Sequence, residues 1–114
     1  MNLSNKELYK YSALHADEFP VSFHYNYEWN IIQMFDRKAC RLVAEMDGNS
    51  IRIIYDDNHN TSGWMCISEA CKHYGLNYNP DNPQDILNAI VDISYNKLKR
   101  YVECITDVLN SIKE

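Results

Sequence analysis

Glycine is scarce in this chain. Gly48, Gly63 and Gly75 stand far apart. That excludes a phosphate-cradling loop and a dinucleotide-binding turn, because both need clustered glycines to bring backbone N–H groups against a phosphate. A Gly-x-Ser-x-Gly elbow is absent too, and with it that type of nucleophilic serine. The four cysteines (Cys40, Cys66, Cys71 and Cys104) include no Cys-x2-Cys pair, so a zinc knuckle is excluded. They read as reduced thiols serving as small buried hydrophobes. Positive charge is also short. Eleven Lys and Arg stand against sixteen Asp and Glu, for a net charge of −5. A protein that lived mainly on phosphate contacts would carry the opposite balance. No apolar run approaches the roughly 20 residues that cross a bilayer. The opening Met-Asn-Leu-Ser-Asn-Lys-Glu has no secretory apolar core. A cytoplasmic protein is expected.

What remains is ordinary for a folded chain. With 46% hydrophobic and 24% charged residues in 114 positions, a single domain over 1–114 with one core is expected. Asn, Ile and Tyr are heavily used, at 13, 11 and 9 residues. AT-rich codons would give that usage, which suggests a low-GC bacterium or its mobile elements.

The longest patterned stretch runs from Asn82 to Glu114. Asn82 suits an N-cap, Pro83 suits the first helical position, and Asp85 places a carboxylate where the helix dipole favours it. Apolar positions then follow in alternating steps of four and three: Leu87, Val91, Leu98, Tyr101, Ile105, Val108 and Ile112, with Ser94 in the same seam. Ile86, Ile90 and Ile93 widen the seam early, and Val102 and Leu109 widen it late. The stripe therefore drifts as it does on a straight packed helix. A helix over 83–113 would measure roughly 46 Å at 1.5 Å per residue, against a radius of gyration of about 13 Å for a domain of this size. Either the helix overhangs its domain, or it breaks at Ser94-Tyr95-Asn96, three mediocre helix formers in a row.

Ser4 with Glu7 makes a capping box for a first helix over about Asn5 to Asp17. From Val21 the period changes to two, and Val21, Phe23, Tyr25, Tyr27 and Trp29 give a strand with an aromatic face. Trp29 to Met46 fits two patterns. A helix would align Ile31, Ile32, Phe35, Ala39, Leu42, Val43 and Met46 and stop at Gly48. A strand would turn at Asp47-Gly48 into Ile51–Tyr55. The helix formers between Ala39 and Met46 favour the helix. Ser50 to Tyr55 is a strand, Asp56 to Gly63 a polar loop, and Trp64 to Ile67 a short returning strand. Ser68 caps a short helix over Glu69 to Tyr74, closed by Gly75.

Three motif-like constellations need weighing. Asn58, Asn60, Ser62, Gly63, Met65 and Glu69 resemble the spacing of an EF-hand calcium loop. The first position carries Asn rather than Asp, and the entering segment is β-branched. His59, Cys66, Cys71 and His73 include soft metal ligands, but Cys71-x-His73 is not zinc spacing. Ser68 to Leu76 resembles the front half of a helix-turn-helix. Beyond it, the positions that should be apolar are Asp81 and Gln84, and prolines interrupt the segment.

The expected fold class is α+β: a small, mostly antiparallel sheet packed by an N-terminal helix and the long C-terminal helix. The leading functional expectation is a non-enzymatic protein–protein interaction module, such as a phage or mobile-element inhibitor of a host protein. It would bind a protein partner, or another copy of itself, through Lys97, Lys99, Arg100, Val102, Ile105 and Leu109. No cofactor and no membrane contact are expected. The alternatives are a small metal-dependent enzyme using His59 with Asp56 or Asp57, and a DNA-binding regulator using Lys72, His73 and the Lys97–Arg100 patch.

Overall fold

A computed structural model of the chain describes residues 3–58 and 60–112. Helix α1 spans Asn5–Leu14, and a 3-10 turn follows at Ala16–Glu18. Strands β1 Val21–Asn26, β2 Ile31–Asp36, β3 Arg41–Asp47, β4 Ser50–Ile53 and β5 Met65–Cys66 come next. Helices α2 Ile67–Tyr74 and α3 Pro83–Ile112 complete the order. The strands form one antiparallel meander, β1-β2-β3-β4-β5. This is the expected α+β architecture.

Trp29–Met46 is a hairpin, not the helix its local propensity favours. Two short polar side chains decide this. The Asn26 side chain accepts from the Glu28 and Trp29 amides at 3.1 and 3.2 Å, and Asp36 accepts from the Ala39 amide at 2.8 Å. Each bond offers the backbone a turn in place of a helical rung. Asn30 and Cys40 then sit at positive φ, 52° and 51°, inside what would have been helix. Tertiary pairing overrides the helix propensity of Ala39–Met46: Ile32, Met34, Ala44 and Met46 are all 1% exposed or less. Met34 pairs with Ala44 and Phe35 with Leu42, so Val43 is the extra residue of a bulge and is buried as well.

All three helices lie on one face of the sheet. Val21, Ile32, Met34, Ala44, Met46, Ile51 and Ile53 from the strands meet Leu8, Ile67, Cys71 and the Ile86–Ile93 stretch of α3 in one core. The caps follow the sequence. Ser4 Oγ accepts from the Glu7 amide at 3.1 Å. Asn82 accepts from the Gln84 and Asp85 amides at 3.0 and 3.4 Å. Gly75, at φ 67°, closes α2 in the left-handed region. Helix α1 ends three residues short of the expected Asp17. In α2 the cap is Cys66, two residues ahead of the expected Ser68.

Asn5 joins the helix layer to one end of the sheet. Its amide donates to the Asn30 carbonyl at 2.6 Å and to Asp47 Oδ1 at 3.2 Å, and its oxygen accepts from the Gly48 amide at 2.9 Å. Two hairpin turns are thus tied to one 5%-exposed side chain. Replacing it with Leu removes three part-buried hydrogen bonds, so Asn5→Leu is expected to lower the unfolding free energy by about 2–4 kcal/mol. Urea denaturation checks this, and a loss within experimental error would mean that the three bonds are dispensable.

Candidate protein-docking surface

Helix α3 runs unbroken through Ser94-Tyr95-Asn96. Ser94 Oγ and Asn96 Nδ2 bond back to the Ile90 and Asp92 carbonyls at 2.7 and 2.8 Å, so both polar side chains find partners within the helix. Its 30 residues amount to about 45 Å, and the longest dimension of the molecule is 53 Å. Only the first half is covered. Ile86, Leu87, Ile90 and Ile93 are buried, but from Val102 onward every described residue is exposed.

Two tyrosine–aspartate bonds fasten the helix where it leaves the sheet. Tyr95 donates to Asp36 at 2.7 Å and Tyr101 donates to Asp56 at 2.8 Å. The Tyr101 ring also stacks on Tyr55, with centroids 4.7 Å apart and planes 14° apart. Burial, then the Asp36 carboxylate, push the Tyr95 hydroxyl up to about 12. Amide bonds, Ala39 first, and the Tyr95 hydroxyl hold Asp36 below the usual carboxylate range. Hydrogen bonds from Asn60 and then Tyr101 lower Asp56 to about 2.

Beyond this clamp the apolar seam continues into solvent. Val102, Ile105, Val108, Leu109 and Ile112 are 60%, 42%, 59%, 52% and 74% exposed. Isolated exposed hydrophobes are unremarkable, but a contiguous stripe of five on one face is a candidate contact surface. At about 1.5–3 kcal/mol for complete burial of such a side chain, the stripe is worth on the order of 5 kcal/mol from its present half-exposed state. A groove of about 450 Å³ opens at its root, between Val43, Tyr55, Tyr95, Leu98 and Val102.

The expected contact residues separate into two groups. Val102, Ile105 and Leu109 lie together on the stripe. The three basic residues do not form one patch: Lys97 lines a depression beside α2 with Cys66, Glu69 and His73, Lys99 lines the groove on another side, and Arg100 is exposed. Val108 and Ile112 were visible in the heptad spacing as members of this face. The groove was not, because Val43 and Tyr55 reach it only through strand register.

The polar loop has a structural task. Asp56 accepts from the Asn58 amide at 2.9 Å, the Asn60 amide at 3.3 Å, Asn60 Nδ2 at 2.8 Å and the Tyr101 hydroxyl. Ser62 Oγ accepts from the Ile53 amide and donates to the Gly63 carbonyl, both at 2.9 Å. The loop is therefore wound around the Asp56 carboxylate, with Asp56, Asn60 and Ser62 engaged inside the chain. His59 lies outside the described residues. Among those described, no group of three His, Cys, Asp or Glu converges as a metal site would. After Gly75 the chain is irregular to Asn82, so no second helix follows α2 at helix-turn-helix spacing.

The cysteines correct an expectation: only Cys71 is buried, while Cys40, Cys66 and Cys104 are exposed. Cys40 occupies a turn, Cys66 the sheet edge, and Cys104 the overhanging helix, and none of these sites has a covering layer. The Ser68 hydroxyl, 3.1 Å away, and then the first amides of α2 lower the Cys66 thiol.

The far face of the sheet, which carries no helix, holds a row across four strands: His24, Gln33, Glu45 and Arg52 in register. Glu45, only 5% exposed, accepts from Gln33 at 3.2 Å and pairs with Arg52. The Arg52 guanidinium lies 4.8 Å from the Trp64 ring. From Gln33 to Trp64 each side chain is held by the next, and this part of the row reads as a brace of the sheet.

Compared with known proteins, the chain matches no family model, no curated sequence and no solved structure.

The clamp predicts a pH profile. Asp56 has a folded value near 2 against an ordinary 3.8, so its stabilisation is present above 3.8 and is lost as pH falls through 2. Tyr95 has a folded value near 12 against 10.0, so its stabilisation is present below 10 and is lost as pH rises through 12. Denaturation midpoints measured across pH should be flat in the middle and fall on both sides. Tyr95→Phe should flatten the alkaline limb, and Asp56→Asn the acid one. Unchanged limbs in these variants would show that Tyr95 and Asp56 do not set the pH dependence.

Proposed function

We propose that the chain is a non-enzymatic protein–protein interaction module whose docking element is the outer end of α3. The observation that supports it is the contiguous exposed stripe Val102, Ile105, Val108, Leu109 and Ile112. Association costs about 4–15 kcal/mol in lost translational and rotational freedom. A stripe worth on the order of 5 kcal/mol, met by a similar surface on a partner, offsets a cost of that size. A pre-formed helix also spares the partner the entropy of ordering it. The stripe suits helix-in-groove recognition, in which residues three and four apart anchor the contact. Within this reading, an inhibitor carried by a phage or mobile element rests on residue usage alone.

The test is a comparison of the full chain with an Ile105→Asp/Leu109→Asp variant. Both positions are exposed, so the variant should keep its circular dichroism and melt within a few degrees of the parent. Association should disappear, whether read as solution mass or as protein retained on the immobilised chain. A parent that is monomeric and retains nothing, or a variant that associates as well as its parent, refutes the reading.

A further inference from the structure

We propose that the partner of the α3 end is a second copy of this chain, paired antiparallel about a twofold axis near Ile105. This rests on the interaction reading above and names the occupant of its surface. Three observations carry it.

The first is self-complementarity. The surface has a groove at its root, where Leu98 and Val102 meet Val43 and Tyr55, and a bare apolar tip at Val108, Leu109 and Ile112. A twofold at Ile105 brings those three tip residues to the level of Val102, Tyr101 and Leu98 of the other copy. Tip and groove then fill each other twice, as an isologous contact requires.

The second is charge. The stripe itself carries no charge, and the groove at its root is lined by Arg41 and Lys99 against Asp36 and Glu103, two of each sign. Two copies therefore meet without net like charge at the seam, and nothing there selects an unlike partner by charge.

The third is the position of the body. The seam that faces the sheet at Leu87 and Ser94 is the same seam that is bare beyond Tyr101, so the stripe looks toward the side on which the body lies. Paired helices run about 8–10 Å apart, whereas the molecule is 28 × 26 Å across its short axes. Parallel pairing would drive the two bodies into each other, and antiparallel pairing sends them to opposite ends.

Cys104 reads the orientation. In an antiparallel pair the same flank of each helix meets itself. A twofold at Ile105 sets the two Cys104 residues about 3 Å apart along the helix axis. In a parallel pair they lie on opposite sides of the seam. The experiment uses the full chain with Cys40→Ser and Cys66→Ser, which leaves Cys104 as the exposed thiol. Sedimentation equilibrium at about 100 µM, well above the micromolar Kd of a modest interface, should give the mass of a dimer. Ile105→Asp should return it to a monomer with unchanged circular dichroism. A short bis-maleimide should link the two Cys104 residues in the dimer and not in the Ile105→Asp variant. A monomer at that concentration, a dimer indifferent to Ile105→Asp, or a dimer without the Cys104 link each overturns the proposal. A monomer that still retains another protein through Ile105 removes the second copy and leaves the interaction reading standing. A monomer that retains nothing removes both.

Discussion

One apolar seam runs the length of α3, and the sheet beneath it is long enough to cover only half. The rest of the structure depends on that mismatch. The inner half supplies Ile86, Leu87, Ile90 and Ile93 to the core, so the helix cannot be removed without emptying the domain. The outer half carries the same kind of residue with nothing against it. Tyr95–Asp36 and Tyr101–Asp56 set the direction in which the helix leaves. They join it to the β2–β3 turn and to the loop after β4, where a hinge would otherwise sit.

The abundance of Asn and the many Asp residues serve as turn hardware. Asn26, Asp36, Asp56, Asn79 and Asn82 each accept backbone amides at a turn or helix start. In a chain with three glycines, short polar side chains do the work of reversing direction by occupying amides that would otherwise continue a helix or strand. The same bonds consume the groups that looked chemically promising. Asp56, which the sequence offered as half of a carboxylate–imidazole pair, is the hub of a loop and an anchor for α3.

Much of the fold was legible. The caps at Ser4 and Asn82, the left-handed Gly75 and the seam of α3 reflect local rules that the structure keeps; the period-two stretch from Val21 is kept as far as Asn26, where the turn takes Tyr27 and Trp29 out of the expected strand. The Trp29–Met46 passage was not legible, because Ile31, Ile32, Phe35 and Val43 satisfy both periods. The decision lay in two polar side chains, Asn26 and Asp36, that bond turn amides, and in partners far along the chain. The exposed stripe was half legible. Val102, Ile105 and Leu109 stood out by spacing, but Lys97, Lys99 and Arg100 looked like one patch only because they are close in sequence. On a helix such neighbours point in different directions.

By itself the sequence determined the elements with a strong period or a clear cap, and it determined that a helix over 83–113 would outrun a domain of this size unless it broke at Ser94-Tyr95-Asn96. Both follow from short-range geometry: 1.5 Å of rise per residue, and a hydrogen-bonding side chain next to the amide it serves. Only the tertiary structure decided which half of α3 is bare and that all three helices share one face of the sheet. It also decided that Val43 and Tyr55 meet Leu98 and Val102 in a groove beside the stripe. Those outcomes depend on strand register, where a shift of one residue exchanges the core face for the solvent face. Register is set by pairings between residues that no local pattern connects.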